Sequence, residues 1–142
     1  MTADPYRLSR FVEAQDAHST YDQALAELRQ GHKTGHWMWF VFPQVAGLGR
    51  SETARAYALP GLAQARAYLA HPVLGPRLRE AAGVLTGLTG TSAEAVLGSV
   101  DAVKLQSSMT LFAHADPQEP LFRAVLDRWF AGVEDEATLS RV

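Results

Sequence analysis

The sequence contains no cysteine, which excludes disulfide staples and thiolate chemistry and fits a reducing compartment. It has no apolar run of transmembrane length. Its first residues, Met1 to Arg7, lack the basic-then-apolar pattern of a secretory signal. The expectation is a cytoplasmic chain that does not engage membranes. Net charge is nearly absent too: a formal value of -2 removes any global electrostatic case for binding nucleic acid. Lysine is scarce. Of 13 basic residues only Lys33 and Lys104 are lysine, and the rest are arginine. Codon bias accounts for such a ratio, and so does a need for a compact ammonium at two sites.

Familiar catalytic signatures are missing as well. Gly47-Leu48-Gly49 lacks the third glycine, the preceding strand and the downstream acid of a dinucleotide fingerprint. His32 and His36 are four apart, but Gly31 and Gly35 argue against a helix carrying both as metal ligands. No metal and no cofactor is therefore expected. There is no internal repeat, linker or low-complexity tract, so the 142 residues are read as one domain, 1–142.

What the chain does have is 47% hydrophobic residues, arranged mostly at helical spacing. Asp4-Pro5 reads as an N-cap with proline at the first helical position, opening a helix to about Asp16. Thr20 with Gln23 has the spacing of a capping box, and Gly31 marks the end of that second helix. Ser51 caps a short helix through Tyr57, and Leu62, Ala65 and Leu69 mark another, closed by His71-Pro72. Gly75-Pro76 opens a longer one. Thr91 with Glu94 reads as a further capping box, and Asp101 as the cap of a helix whose inward set is Leu105, Ser108, Met109 and Phe112. Pro120 starts the next, with Phe122, Val125, Leu126 and Trp129 inward, and Asp135 caps a last turn. About eight helices joined by short links predict an all-α, multihelical domain.

These helices surround an unusual block, His36-Trp37-Met38-Trp39-Phe40-Val41-Phe42, which holds two of the three tryptophans. Seven large residues in a row predict burial on most sides. Its composition favours a strand, but no second strand is evident to pair with it, so a short buried helix competes. The block is expected to pack on the Leu105–Phe112 and Phe122–Trp129 helices.

Candidate chemistry collects around this block and around Lys104. His36 titrates near neutral pH and serves as an acid–base candidate; its alternative role is to orient the block through a backbone hydrogen bond. Trp37 and Trp39 offer a stacking face, or else belong to the core. Lys104 and Ser108 lie one helical turn apart and project together at the edge of the apolar stripe. With Lys33, His36 and Gln44 they suit a small anionic ligand. The competing class is a non-enzymatic interaction protein whose aromatic block is purely structural, marked by an exposed apolar patch in place of a closed polar pocket.

Several stretches resemble the bacterial family known as domain of unknown function 1810. They are Phe11-Val12-Glu13-Ala14-Gln15, the block through Gln44, Gly47-Leu48-Gly49-Arg50-Ser51, the run from Ala67 to Gly75, and Lys104 to Phe112. The resemblance implies a compact, mainly helical fold and no established activity. Ala14-Gln15, and a Lys-x-x-x-x-Met helix before a Phe-rich one within 92–126, are similar to the NADAR N-glycosidases, which act on ADP-ribose-type compounds. That likeness implies a carboxylate on the first helix. The family position falls near Ser9, and Glu13 is the nearest acid. Under this reading Glu13 is the catalytic carboxylate, His36 transfers or positions a proton, and Lys104 binds phosphate or ribose. The reading requires Glu13, His36 and Lys104 to line one cavity.

Overall fold

Among the described residues, Ser51, Ser92 and Asp135 each start a helix with a side-chain cap. The computed structural model describes residues 4–89 and 91–142. Among these residues are ten α-helices: α1 (Ser9–Asp16), α2 (Thr20–Gln30), α3 (Met38–Val41), α4 (Glu52–Ala56), α5 (Leu62–Ala70), α6 (Leu74–Gly87), α7 (Ala93–Leu97), α8 (Ser99–Ala115), α9 (Pro120–Phe130) and α10 (Glu136–Leu139). A 3-10 turn, Ala17–Ser19, joins α1 to α2. No strand occurs among the described residues; Val45 and Leu59 form an isolated parallel bridge. The all-α expectation holds.

Where the start signals fail, a competing partner is visible. Asp4 does cap, but its carboxylate accepts the amides of Leu8 and Ser9, so the helix opens beyond Pro5. The Thr20–Gln23 capping box does not form: Thr20 Oγ1 donates to Ala17 O, and Gln23 Nε2 donates to Glu27. Ser92, one residue after Thr91, caps α7 by accepting the Ala95 amide. Asp101 lies inside the first turn of α8 rather than at its cap, because its carboxylate is held by two lysines. Ser51 and Asp135 cap α4 and α10 as their spacing predicts.

The centre of the molecule is α8. From Ser107 to Ala113 it is buried on every side, which a helix tolerates only when neighbours surround it. Those neighbours are α5, α7, α9 and α10, while α6 closes the layer by packing on α5 and α9. Phe112 meets Tyr68 of α5 and Phe122 of α9 at centroid distances of 5.4 and 5.7 Å. Burying each such ring contributes roughly 1.5–3 kcal/mol.

The aromatic block is neither strand nor long helix. Met38 to Val41 make a single helical turn, with Trp37, Met38, Val41 and Phe42 buried and Trp39 and Phe40 half-buried. His36 is exposed. The block is thus buried on most sides, and because one turn of helix presents side chains in all directions, the side carrying His36 and Trp39 reaches solvent. Its principal helical neighbour is α1, rather than the expected α8 and α9. Buried Gln15 fixes that contact, donating from Nε2 to Phe40 O at 2.7 Å and to Tyr68 Oη at 3.2 Å.

Candidate functional site

The geometry of the site begins at the end of α2. Gly31 adopts a left-handed conformation (φ +76°) and turns the chain away from the helix. Glu27, in the last turn of α2, is buried and collects the returning link. Its Oε1 accepts the amides of Thr34 and Gly35 at 2.8 and 2.9 Å and the Trp37 indole N–H at 3.0 Å. Burial alone would raise its pKa. The hydrogen bonds from Gly35, Trp37, Thr34 and Gln23 outweigh that and hold the carboxyl at about 2. This buried anion fixes both Trp37 and the link that carries Lys33.

Lys33 is thereby delivered to α8. Its amide donates to Val96 O at 2.8 Å. Its side chain is 8% exposed, and the ammonium lies 2.8 Å from Asp101 Oδ2, donates to Gly35 O at 2.5 Å, and sits 5.1 Å from the Trp37 ring centroid. Lys104, one turn after Asp101, lies 3.4 Å from the other carboxylate oxygen and 4.8 Å from the Trp39 ring centroid. The chain's only two lysines thus converge on one aspartate, each resting over one tryptophan of the block. Around Asp101 itself two ammonium groups face one carboxylate.

Lys104 also lines an open cleft of about 410 Å³ between α8, α10 and the 44–49 loop. Val100, Val103, Leu48 and Ala137 form its apolar walls, and Gln44, Ser107 and Asp135 add polar groups. Val100 and Val103 are 68% and 55% exposed. Asp135 is already engaged: Oδ2 accepts the Thr138 amide and hydroxyl at 3.0 and 2.7 Å and lies 3.0 Å from Ser107 Oγ. Its own amide donates to Thr110 Oγ1, docking α10 on α8.

Of the residues singled out in the sequence, Lys104 and Gln44 share this cleft, and Lys33 joins Lys104 through Asp101. Trp39 seats Lys104. Trp37 is 1% exposed with its N–H engaged, so its stacking role is corrected to a core role. Ser108 shares the Lys104 stripe but points into the interior, where its hydroxyl has no hydrogen-bond partner among the described residues. Its neighbour Ser107 occupies the cleft wall instead. Glu13 and His36 are both exposed, and neither lines the cleft that Lys104 lines. The single cavity demanded by the N-glycosidase reading is not formed there.

Glu27 carries no local signal of its role, because it sits in an amphipathic helix where a solvated acid is ordinary. Asp101 reads from the sequence as a cap beside Lys104, and its pairing with both lysines is not local; nor is the pairing of Ser107 with Asp135, 28 residues apart. Among the described residues no group of three or more histidines or acids is placed to hold a metal ion. Nor is any helix among them long and apolar enough to cross a membrane.

Residues 5–142 match the model of a family described as protein of unknown function (DUF1810). The chain is similar to a solved structure of a conserved hypothetical protein, Rv1873, from Mycobacterium tuberculosis. The two are 47% identical over 96% of each chain, with a TM-score of 0.93. No curated protein matches, so the likeness to N-glycosidases receives no support from these comparisons.

Proposed function

The chain belongs to the DUF1810 family, and we propose that it is a small-molecule-binding domain whose cleft takes a ligand with an apolar body and an anionic group. One observation carries this reading: Lys104 stands on the wall of an apolar cleft while sharing Asp101, its one carboxylate partner among the described residues, with the closer Lys33. Lys33 at 2.8 Å takes the larger share of that charge, leaving Lys104 the cation with attraction to spare. Gln44 supplies a second polar contact. Nucleotide-like and ADP-ribose-like ligands, the classes expected from the sequence, fit with phosphate at Lys104 and a flat base against Val100, Val103 and Leu48. Hydrolysis is not part of the proposal, because Glu13 and His36 stand elsewhere and Asp135 is committed to its cap.

A thermal-shift panel of nucleotides, ADP-ribose and a medium-chain carboxylate tests it. A ligand at a hundred times its dissociation constant adds about 2.7 kcal/mol, a shift of several degrees. Lys104→Met should remove the shift while leaving the helical circular-dichroism signal intact. No shift with any member of the panel, or a shift that survives Lys104→Met, overturns the reading. The exposed valines favour a second reading, in which the cleft docks a partner protein by its apolar rim. Under that reading Val100→Lys, not Lys104→Met, abolishes the interaction.

A further inference from the structure

A second cavity of about 430 Å³ lies where the turn before α1 meets α4 and the start of α5. Three arginines line it: Arg7, Arg10 and Arg55. None of the three makes an ion pair among the described residues, and no acid lines the cavity. The acid acting on Arg10 is Asp4, whose carboxylate is already engaged by the amides of Leu8 and Ser9. Elsewhere Arg77, Arg79 and Arg123 have carboxylate partners, and what sets this corner apart is that three guanidinium groups without one share a single cavity.

Arg10 is immobilised. Its Nε donates to Ala56 O at 2.8 Å, Nη1 to Tyr6 O and Arg7 O at 2.6 and 2.7 Å, and Nη2 to Ala58 O at 3.2 Å. Four of its five N–H donors are thus spent on neutral carbonyls, which hold the guanidinium without cancelling its charge, and one on Nη2 remains. Burial and the like charge of Arg7 both disfavour the charged form of Arg10, with Asp4 and Tyr57 opposing. Arg7 and Arg55 flank this fixed cation from two different elements. Both are exposed, and their guanidinium groups make no hydrogen bond among the described residues. Tyr6, 38% exposed, and Gln64 complete the rim with a ring face and an amide.

We propose that this corner is an anion site, separate from the Lys104 cleft, that binds the phosphoryl groups of a small phosphate ester or diphosphate. Three guanidinium groups around one cavity repel one another, and an anion among them relieves that repulsion while filling the vacant donors. Guanidinium forks match phosphate oxygens two at a time, which a lysine cannot do. The preorganised Arg10 lowers the ordering cost of binding, and the two exposed arginines close on the ligand from either side.

Isothermal titration calorimetry of the full chain with inorganic pyrophosphate, in low-salt buffer free of phosphate, is the test. The wild type should bind one equivalent with a dissociation constant below about 1 mM, weakening as salt rises. Arg55→Gln should weaken binding by about tenfold, and Arg55→Lys by less. Arg7 has a positive φ of 53°, so Arg7→Asn is the variant that removes its charge with least backbone strain. Adding it to Arg55→Gln should abolish the heat. Arg29→Gln, at an exposed arginine that lines neither cavity, should bind pyrophosphate as the wild type does, which separates this site from a general effect of charge. The proposal is overturned if the wild type gives no heat, or if a normally melting Arg7→Asn/Arg55→Gln protein binds as before. It is also overturned if Lys104→Met is the variant that loses binding.

Discussion

A carboxylate with three N–H donors on one oxygen is stabilised only while it is charged, and Glu27 is that group here. Its folded pKa of about 2 lies below the ordinary glutamate value, so its contribution to stability is fully present above about pH 4.5. That contribution fades as pH falls toward 2, and its total is about 3 kcal/mol. Glu27→Gln should therefore melt well below the wild type at pH 7, with the gap narrowing through that acid window. Thermal denaturation from pH 7 to pH 2.5 measures it; a gap independent of pH would show that the hydrogen bonds do not depend on charge. Nothing local in the sequence announces this role, since Glu27 occupies a helix position where a solvated acid is ordinary. Lys33 and Lys104 stood out by their rarity. Their shared partner Asp101 did not, because an aspartate near a helix start reads first as a cap.

At the scale of the element, α3 shows how one helical turn divides neighbouring residues. Trp37 enters the core between Glu27 and Phe42, whose ring centroid is 6.3 Å away, whereas Trp39 remains half-buried beneath Lys104. Trp37→Ala removes a filled volume and leaves the Glu27 carboxylate short of a donor, at a cost of about 3–5 kcal/mol. Trp39→Ala should cost clearly less, and its larger effect should fall on ligand binding at the Lys104 cleft. Urea unfolding of the two variants compares them; equal losses would mean that Trp39 is core as well. Helices α4, α9 and α10 were legible because Ser51, Pro120 and Asp135 cap or open them locally. The conformation of α3 was not, because seven large residues satisfy strand and helix patterns equally and only the contact with Gln15 and Tyr68 decides.

Across the whole molecule the buried side chains form one continuous cluster, from Leu8 and Phe11 in the α1 region to Leu126 in α9. A core without a break predicts one cooperative transition, so the α1–α3 side and the α8–α9 side should unfold together. The tryptophans are placed to check this, with Trp37 and Trp39 on one side and Trp129 of α9 on the other, its indole bonded to Leu85 O. The elbow between α5 and α6 is the point at which this cooperativity can be stressed. A Cβ on Gly75 would stand 2.1 Å from Leu69 O, a backbone atom that cannot move without shifting α5. Since α5 packs on α8 and α6 on α9, that displacement reaches both sides of the core. Gly75→Ala should then cost about 2–3 kcal/mol, or about 5–10 °C in Tm. In single-tryptophan variants retaining Trp37 or Trp129, Gly75→Ala should lower the midpoint by the same amount, each measured against its own Gly75 parent. If the Trp129 signal fell while the Trp37 signal kept its parent's midpoint, the two sides would be separate folding units despite their shared core.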